Sequence, residues 1–167
     1  MERIRIDDTI ATGKLVFDKS SIWAWSDVYC SSAFICVVAA SAYFLSPLLA
    51  LPILGLAGFT AYRASHLLDM VPIPVVYPGT TLPEAASAAI QSLGWHPERA
   101  GIRCLHATIG DFWSGYQWVV VVQADGRLLF NSLTIVKFGF SPFSRDKAEN
   151  ARRFADAFQS RLAEAAA

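Results

Sequence analysis

The chain has 167 residues, of which 54% are hydrophobic and 17% charged, and its 14 basic and 14 acidic side chains cancel. A typical soluble domain is about 45–50% apolar and about 25% charged, so the balance is shifted toward apolar residues. Zero net charge without a basic stripe excludes a nucleic-acid-binding footprint, and three cysteines, Cys30, Cys36 and Cys104, form no disulfide framework and fit a reducing compartment.

Residues 1–27 are polar and alternating and lack the apolar core of a signal peptide. Ile4 and Ile6, Leu15 and Phe17, and Trp23 and Trp25 recur at period two, which predicts three short strands with turns at Ala11-Thr12-Gly13 and Asp18-Lys19-Ser20. Asp27 and Arg63 are consecutive charged residues, which leaves 35 uncharged positions, 28–62, between them. As one helix that run would be about 52 Å long, against a hydrocarbon core of about 30 Å. Ser46-Pro47 lies near its midpoint, and proline disfavours helix in the residue before it. The expectation is a transmembrane helical hairpin over 28–68, with helices at about 28–45 and 47–67.

Trp23, Trp25, Tyr29, Tyr62 and Arg63 flank the apolar run and are candidate membrane-interface residues. Ser32, Cys36 and Ala40 on the first helix, and Gly55 and Gly58 on the second, are candidate helix–helix packing positions, since small residues let helices approach closely. The turn carries no charge, and every Lys and Arg lies outside the hairpin. A bacterial inner-membrane, multi-pass location with both termini cytoplasmic follows from the positive-inside bias.

Residues 69–80 contain Pro72, Pro74 and Pro78 and are expected to form an extended connector. The region 81–167 reads α-β-β-β-α. Thr81-Leu82-Pro83-Glu84 is a capping box, followed by Leu82, Ala86, Ala89, Ile90 and Leu93 at helical spacing and by Gly94 as the stop. Strands are expected at 103–109, 117–123 and 127–138, with Asp125-Gly126 as a hairpin turn. Ser144 caps a last helix with Ala151, Phe154, Ala155, Phe158 and Leu162 in one apolar stripe. The fold class expected is an α+β membrane protein, in which an antiparallel sheet closed by a C-terminal amphipathic helix is interrupted by the transmembrane hairpin.

The short strands, Trp25-Ser26-Asp27, Asp125-Gly126 and the closing amphipathic helix resemble bacterial pleckstrin-homology-like domains, some of which carry a two-helix membrane insertion after their early strands. The resemblance implies a small binding domain and brings no catalytic residues with it.

Cys104 and His106 share a strand face, and His96 lies ten residues before His106, but no set of three or four ligands at metal spacing is present. No nucleotide-binding glycine pattern or nucleophile elbow occurs, so no catalytic residue, cofactor or metal is assigned. Gly110–Trp118 places Phe112, Trp113, Tyr116 and Trp118 within nine residues. These four are candidate partner-binding residues, with headgroup contact and closure of the sheet core as the open alternatives. Phe138–Phe143 reads as a packing corner. The expected function is a non-enzymatic, membrane-anchored protein-binding or scaffold protein whose partners are a lipid bilayer and a protein. The domain would bind through its sheet edge or the Phe112–Trp118 loop, and an oligomer through the hairpin stays open. Two alternatives are an immunity protein against a membrane-acting toxin and an accessory subunit of a larger membrane complex.

Overall fold

The computed structural model of the chain describes residues 4–18, 26–45, 47–76, 82, 84–110, 116–136, 139–140 and 147–166. The first element is a helix, α1 (Ile6–Thr12), where strands were expected. Asp7 and Asp8 stand in its first turn, where the helix dipole favours anions. Gly13 ends it in the left-handed region at φ +67°, donating its N–H to Thr9 O at 2.9 Å. Ile6 and Ile10, four apart, pack one face of this helix against a core cluster. Of the period-two positions Ile6 therefore belongs to a helical stripe with Ile10, and Ile4, Leu15 and Phe17 lie outside the helix. Among the described residues of this segment, strand character is confined to isolated bridges, Ile4 to Phe17 and Lys14 to Asp69. The expected strand at Ile22–Trp25 lies outside the described residues.

α2 (Ser26–Leu45) and α3 (Pro47–Ser65) follow and pack on each other. They fall close to the expected helices but do not have the expected role. α2 is 20 residues long and opens on Ser26-Asp27, with further serines at 31, 32 and 41. α3 is 19 residues long, contains Pro52 and ends in Thr60, Tyr62, Arg63 and Ser65. At about 1.5 Å per residue neither has polar ends to spare against a hydrocarbon core of about 30 Å. Among the described residues no helix is long and apolar enough to cross a membrane. This overturns the transmembrane hairpin, the membrane-protein fold class and the multi-pass inner-membrane location expected from the sequence.

The sheet is built from residues after α3. Its strands are β1 (Val71–Val76), β2 (His96–Ala100), β3 (Cys104–Ile109), β4 (Tyr116–Ala124), β5 (Arg127–Val136) and β6 (Gly139–Phe140). They are all antiparallel, in the order β1-β5-β4-β3-β2, with β6 paired to the far end of β5. Among the described residues the N-terminal segment adds no strand to this sheet, so the helix pair precedes the sheet and does not interrupt it. The expected proline connector is the edge strand β1. Proline lacks an N–H and is tolerated where that position faces away from the ladder. Asp125 (φ 37°) and Gly126 (φ 84°) form the β4–β5 turn, with both central residues left-handed as a type I′ turn requires.

Both faces of the sheet are buried, which explains four consecutive valines. Val119 and Val121 face one core with Leu105, Leu128 and Phe130, beneath α4 (Glu84–Ser92) and α5 (Lys147–Ala166). Ala86, Ala89 and Ile90 of α4 and Ala151, Phe154, Ala155 and Phe158 of α5 fill that side, as their helical spacing predicted. Asn150 of α5 adds polar ties, donating to Gln117 Oε1 and Ser132 Oγ on the sheet. Val120 and Val122 face the second core with Cys104, Trp118, Leu129 and Leu133, covered by Leu15, Leu67, Met70 and the apolar face of α1. The caps expected at Thr81 and Ser144 and the corner at 138–143 lie wholly or largely outside the described residues.

Candidate functional site

Among the described residues, every exposed large apolar side chain except Ile102 lies on α2 or α3. Phe34 (69% exposed), Val37, Tyr43 and Phe44 (88%) stand out from α2; Leu48 (78%), Leu51, Leu54, Phe59 and Tyr62 stand out from α3. A contiguous apolar surface larger than a few hundred Å² is unusual on a monomer and marks an interaction site.

Of the small residues expected to seal the two helices together, those whose side chains are described are open to solvent. Cys36, Ala40, Gly55 and Gly58 are exposed. A Cβ added at Gly55 or Gly58 would meet nothing within 4 Å. Among the described side chains of the pair, Ala39 and Thr60 are the buried ones. Three hydroxyls turn back onto their own helices: Thr60 donates to Leu56 O, Ser41 to Val37 O and Ser65 to Tyr62 O. The side chain of Ser32 lies outside the described residues. So do Trp23, Trp25 and the side chain of Tyr29. Tyr62 is exposed, with its ring tilted against that of His66 at 4.6 Å between centroids, and the Arg63 guanidinium lies 6.0 Å from the Phe59 ring centroid.

Where α3 ends, the chain is clamped to the domain by side chains that the sequence reading did not single out. Lys147, in the first turn of α5, donates to His66 O (3.1 Å), Leu67 O (2.8 Å) and Asp69 O (3.0 Å). Asn131 of β5 donates to the same Leu67 and Asp69 carbonyls, at 3.2 and 2.8 Å. These carbonyls belong to the turn just beyond α3, so Lys147 pins that turn from another element. Its own position, at the positive end of α5, is one that the α5 dipole disfavours. That mismatch is the one sequence signal that pointed to it. Burial pushes the Lys147 amine down to about 8, with Arg63 adding to the fall and Asp69 opposing it. Asp69 also takes an ion pair from Lys14 at 3.2 Å and a close contact from His66 Nδ1. Burial raises its carboxyl, but these two partners outweigh burial and hold it below the ordinary carboxylate range.

Cys104 and His106 do meet, with Sγ 3.2 Å from Nε2. Burial pushes the thiol up to about 12, and burial followed by the charge of Arg99 lowers the imidazole. The pair is therefore a neutral thiol donating to a neutral imidazole, the opposite of an activated thiolate. Among the described residues no cluster of His, Cys, Asp and Glu could hold a metal ion. Thiol labelling of the native protein at pH 8 is expected to modify Cys30 and Cys36, which are exposed, and to spare Cys104 until denaturant is added. Fast labelling of Cys104 in the native state would contradict the buried neutral pair.

The aromatic loop splits. Phe112 and Trp113 lie outside the described residues. Tyr116 is half-buried, and Trp118 is buried in the second core, stacked on Phe17 at 5.9 Å. Trp118 therefore closes the core and is not available to a partner. The sheet edges are poor docking sites too. β1 carries Pro72 and Pro74 and β2 carries Pro97, each removing a donor that an added strand would need. No family model, no curated protein and no solved structure matches the chain.

Proposed function

We propose that this chain is a non-enzymatic protein-binding module in which a small α+β domain holds an apolar helix pair for docking. The observation that carries the reading is the concentration of exposed large apolar side chains on α2 and α3. Three others support it. The sheet edges are blocked by prolines, the nearest approach to a catalytic pair is held neutral, and the root of α3 is fastened by Lys147 and Asn131. A pair of helices fixed at its root is pre-organised, which lowers the ordering cost of binding.

A photo-cross-linking amino acid placed at Phe34 or Phe44 in the full chain, expressed in cells, is expected to give one protein adduct of defined size. The same group at Arg99 on β2 is expected to give none. The adduct should disappear when Leu48 and Leu51 are changed to serine. Equal adducts from Arg99, or none from α2, would sink the proposal.

A further inference from the structure

Leu48, Leu51, Gly55, Gly58 and Tyr62 follow one another along α3 at spacings of three, four, three and four residues, and all five are exposed. That is the spacing of a helix–helix seam, with apolar side chains recurring every 3.5 residues on average. Its centre is two glycines with open space above them. Its ends are large: Leu48 and Leu51 on one side of the notch and Tyr62 on the other. Leu54 and Phe59 flank it.

We infer that this seam is the contact between two copies of the chain, packed through α3 about a twofold axis. The inference rests on the reading above that the helix pair is the docking surface, and it names the partner. Three features select a second copy. In a twofold interface residue i meets residue j and j meets i, and only groups at the axis meet their own counterparts, so a charge at the centre of the seam would meet a like charge. The seam lies in the uncharged run 28–62, and the nearest following charge, Arg63, comes after its last member. Its shape is self-complementary. With the helices antiparallel, the glycine notches cross, and the leucine end of one seam lies beside Tyr62 of the other. Glycine at a crossing lets the backbones approach closely. The area also suffices. The exposed parts of Leu48, Leu51, Leu54, Phe59, Tyr62 and the two glycines offer on the order of 700 Å² per chain, close to the ~800 Å² per partner of a stable interface.

Sedimentation of the full chain over roughly 1–50 µM tests this. The wild type is expected to be dimeric, and Gly58→Leu or Gly55→Leu to raise the dimer Kd by about tenfold or more. Both glycines have room for a side chain within the subunit, and replacing a mid-helix glycine favours the helix. The variants should therefore keep the wild-type circular dichroism spectrum. Phe34→Ser, outside the seam, should leave the dimer intact. A wild-type monomer across the range overturns the inference. So do large mixed assemblies that Gly58→Leu leaves unchanged, and so does a chain that binds phosphatidylcholine vesicles as a monomer. If adducts form from Phe34 or Phe44 while sedimentation finds a monomer, the docking surface stands and only the second copy is wrong.

Discussion

Phe154→Ala is expected to cost about 3–5 kcal/mol, the range for deleting a fully buried aromatic. Phe154 has no exposed surface and lies at the meeting point of three rings: Trp95 at 6.5 Å, Phe130 at 6.0 Å and Phe158 at 5.8 Å. These join α5 to β5 and to the segment entering β2. Truncation removes the transfer free energy of the ring, leaves a cavity between elements that cannot easily collapse, and ends ring contacts each worth about 0.5–1.5 kcal/mol. Domains of this kind have only about 5–15 kcal/mol in all, so the variant should unfold at a much lower urea concentration with an unchanged slope. Phe44→Ala, removing an 88% exposed ring, is the matched control and should leave the midpoint where it was. If the two variants proved equally mild, the packing of α5 on the sheet would be wrong.

That contrast also separates what the sequence made legible from what it did not. The α5 stripe, the α4 stripe, Val119–Val122 and Asp125-Gly126 were readable because each signal is local and agrees with the tertiary role. The boundaries of α2 and α3 were readable for the same reason, from Ser46-Pro47. Their meaning was not. A run of uncharged residues reports low polarity, but crossing a membrane also needs unbroken apolar length, and the serines of α2 and the polar end of α3 take that away. β2 was invisible because His96-Pro97-Glu98-Arg99-Ala100 has no apolar alternation and is exposed throughout; it is a strand because β3 pairs with it. α1 was misread because Ile4 and Ile6 satisfy period two, whereas the helical stripe is Ile6 and Ile10, and only Asp7-Asp8 and Gly13 decide between them. Among the candidate site residues, Gly55 and Gly58 were expected between α2 and α3, and the structure leaves both exposed. Which side of a helix faces its intramolecular partner depends on its rotation in the fold, and spacing alone does not report that.

Lys147→Met is expected to loosen the root of α3. Methionine keeps the length of the side chain and removes the ammonium, so three carbonyls lose a charged donor at once. Asn131 still serves Leu67 O and Asp69 O, whereas among the contacts of this clamp His66 O loses its only side-chain donor. Hydrogen bonds to charged groups contribute about 1.5–3 kcal/mol, but the lowered amine means that burying the ammonium costs at least as much, so at neutral pH wild type and variant are expected to differ by no more than about 1 kcal/mol. Amide exchange over residues 66–70 should rise more than exchange in β4. The pH dependence gives the sharper reading. Burial lowers the folded-state Lys147 amine to about 8 from its ordinary 10.5. Between those values the unfolded chain holds the proton that the folded chain has released. The unfolded state then binds more protons, so wild-type stability gains as pH rises through this window. Lys147→Met lacks the group and lacks that gain. The stability gap between wild type and variant, measured by urea unfolding, should therefore widen from pH 8 toward pH 10. A gap that stays constant or narrows would mean that Lys147 remains charged in the fold, and that its three carbonyls, with Asp69 nearby, stabilise the ammonium by more than burial costs it.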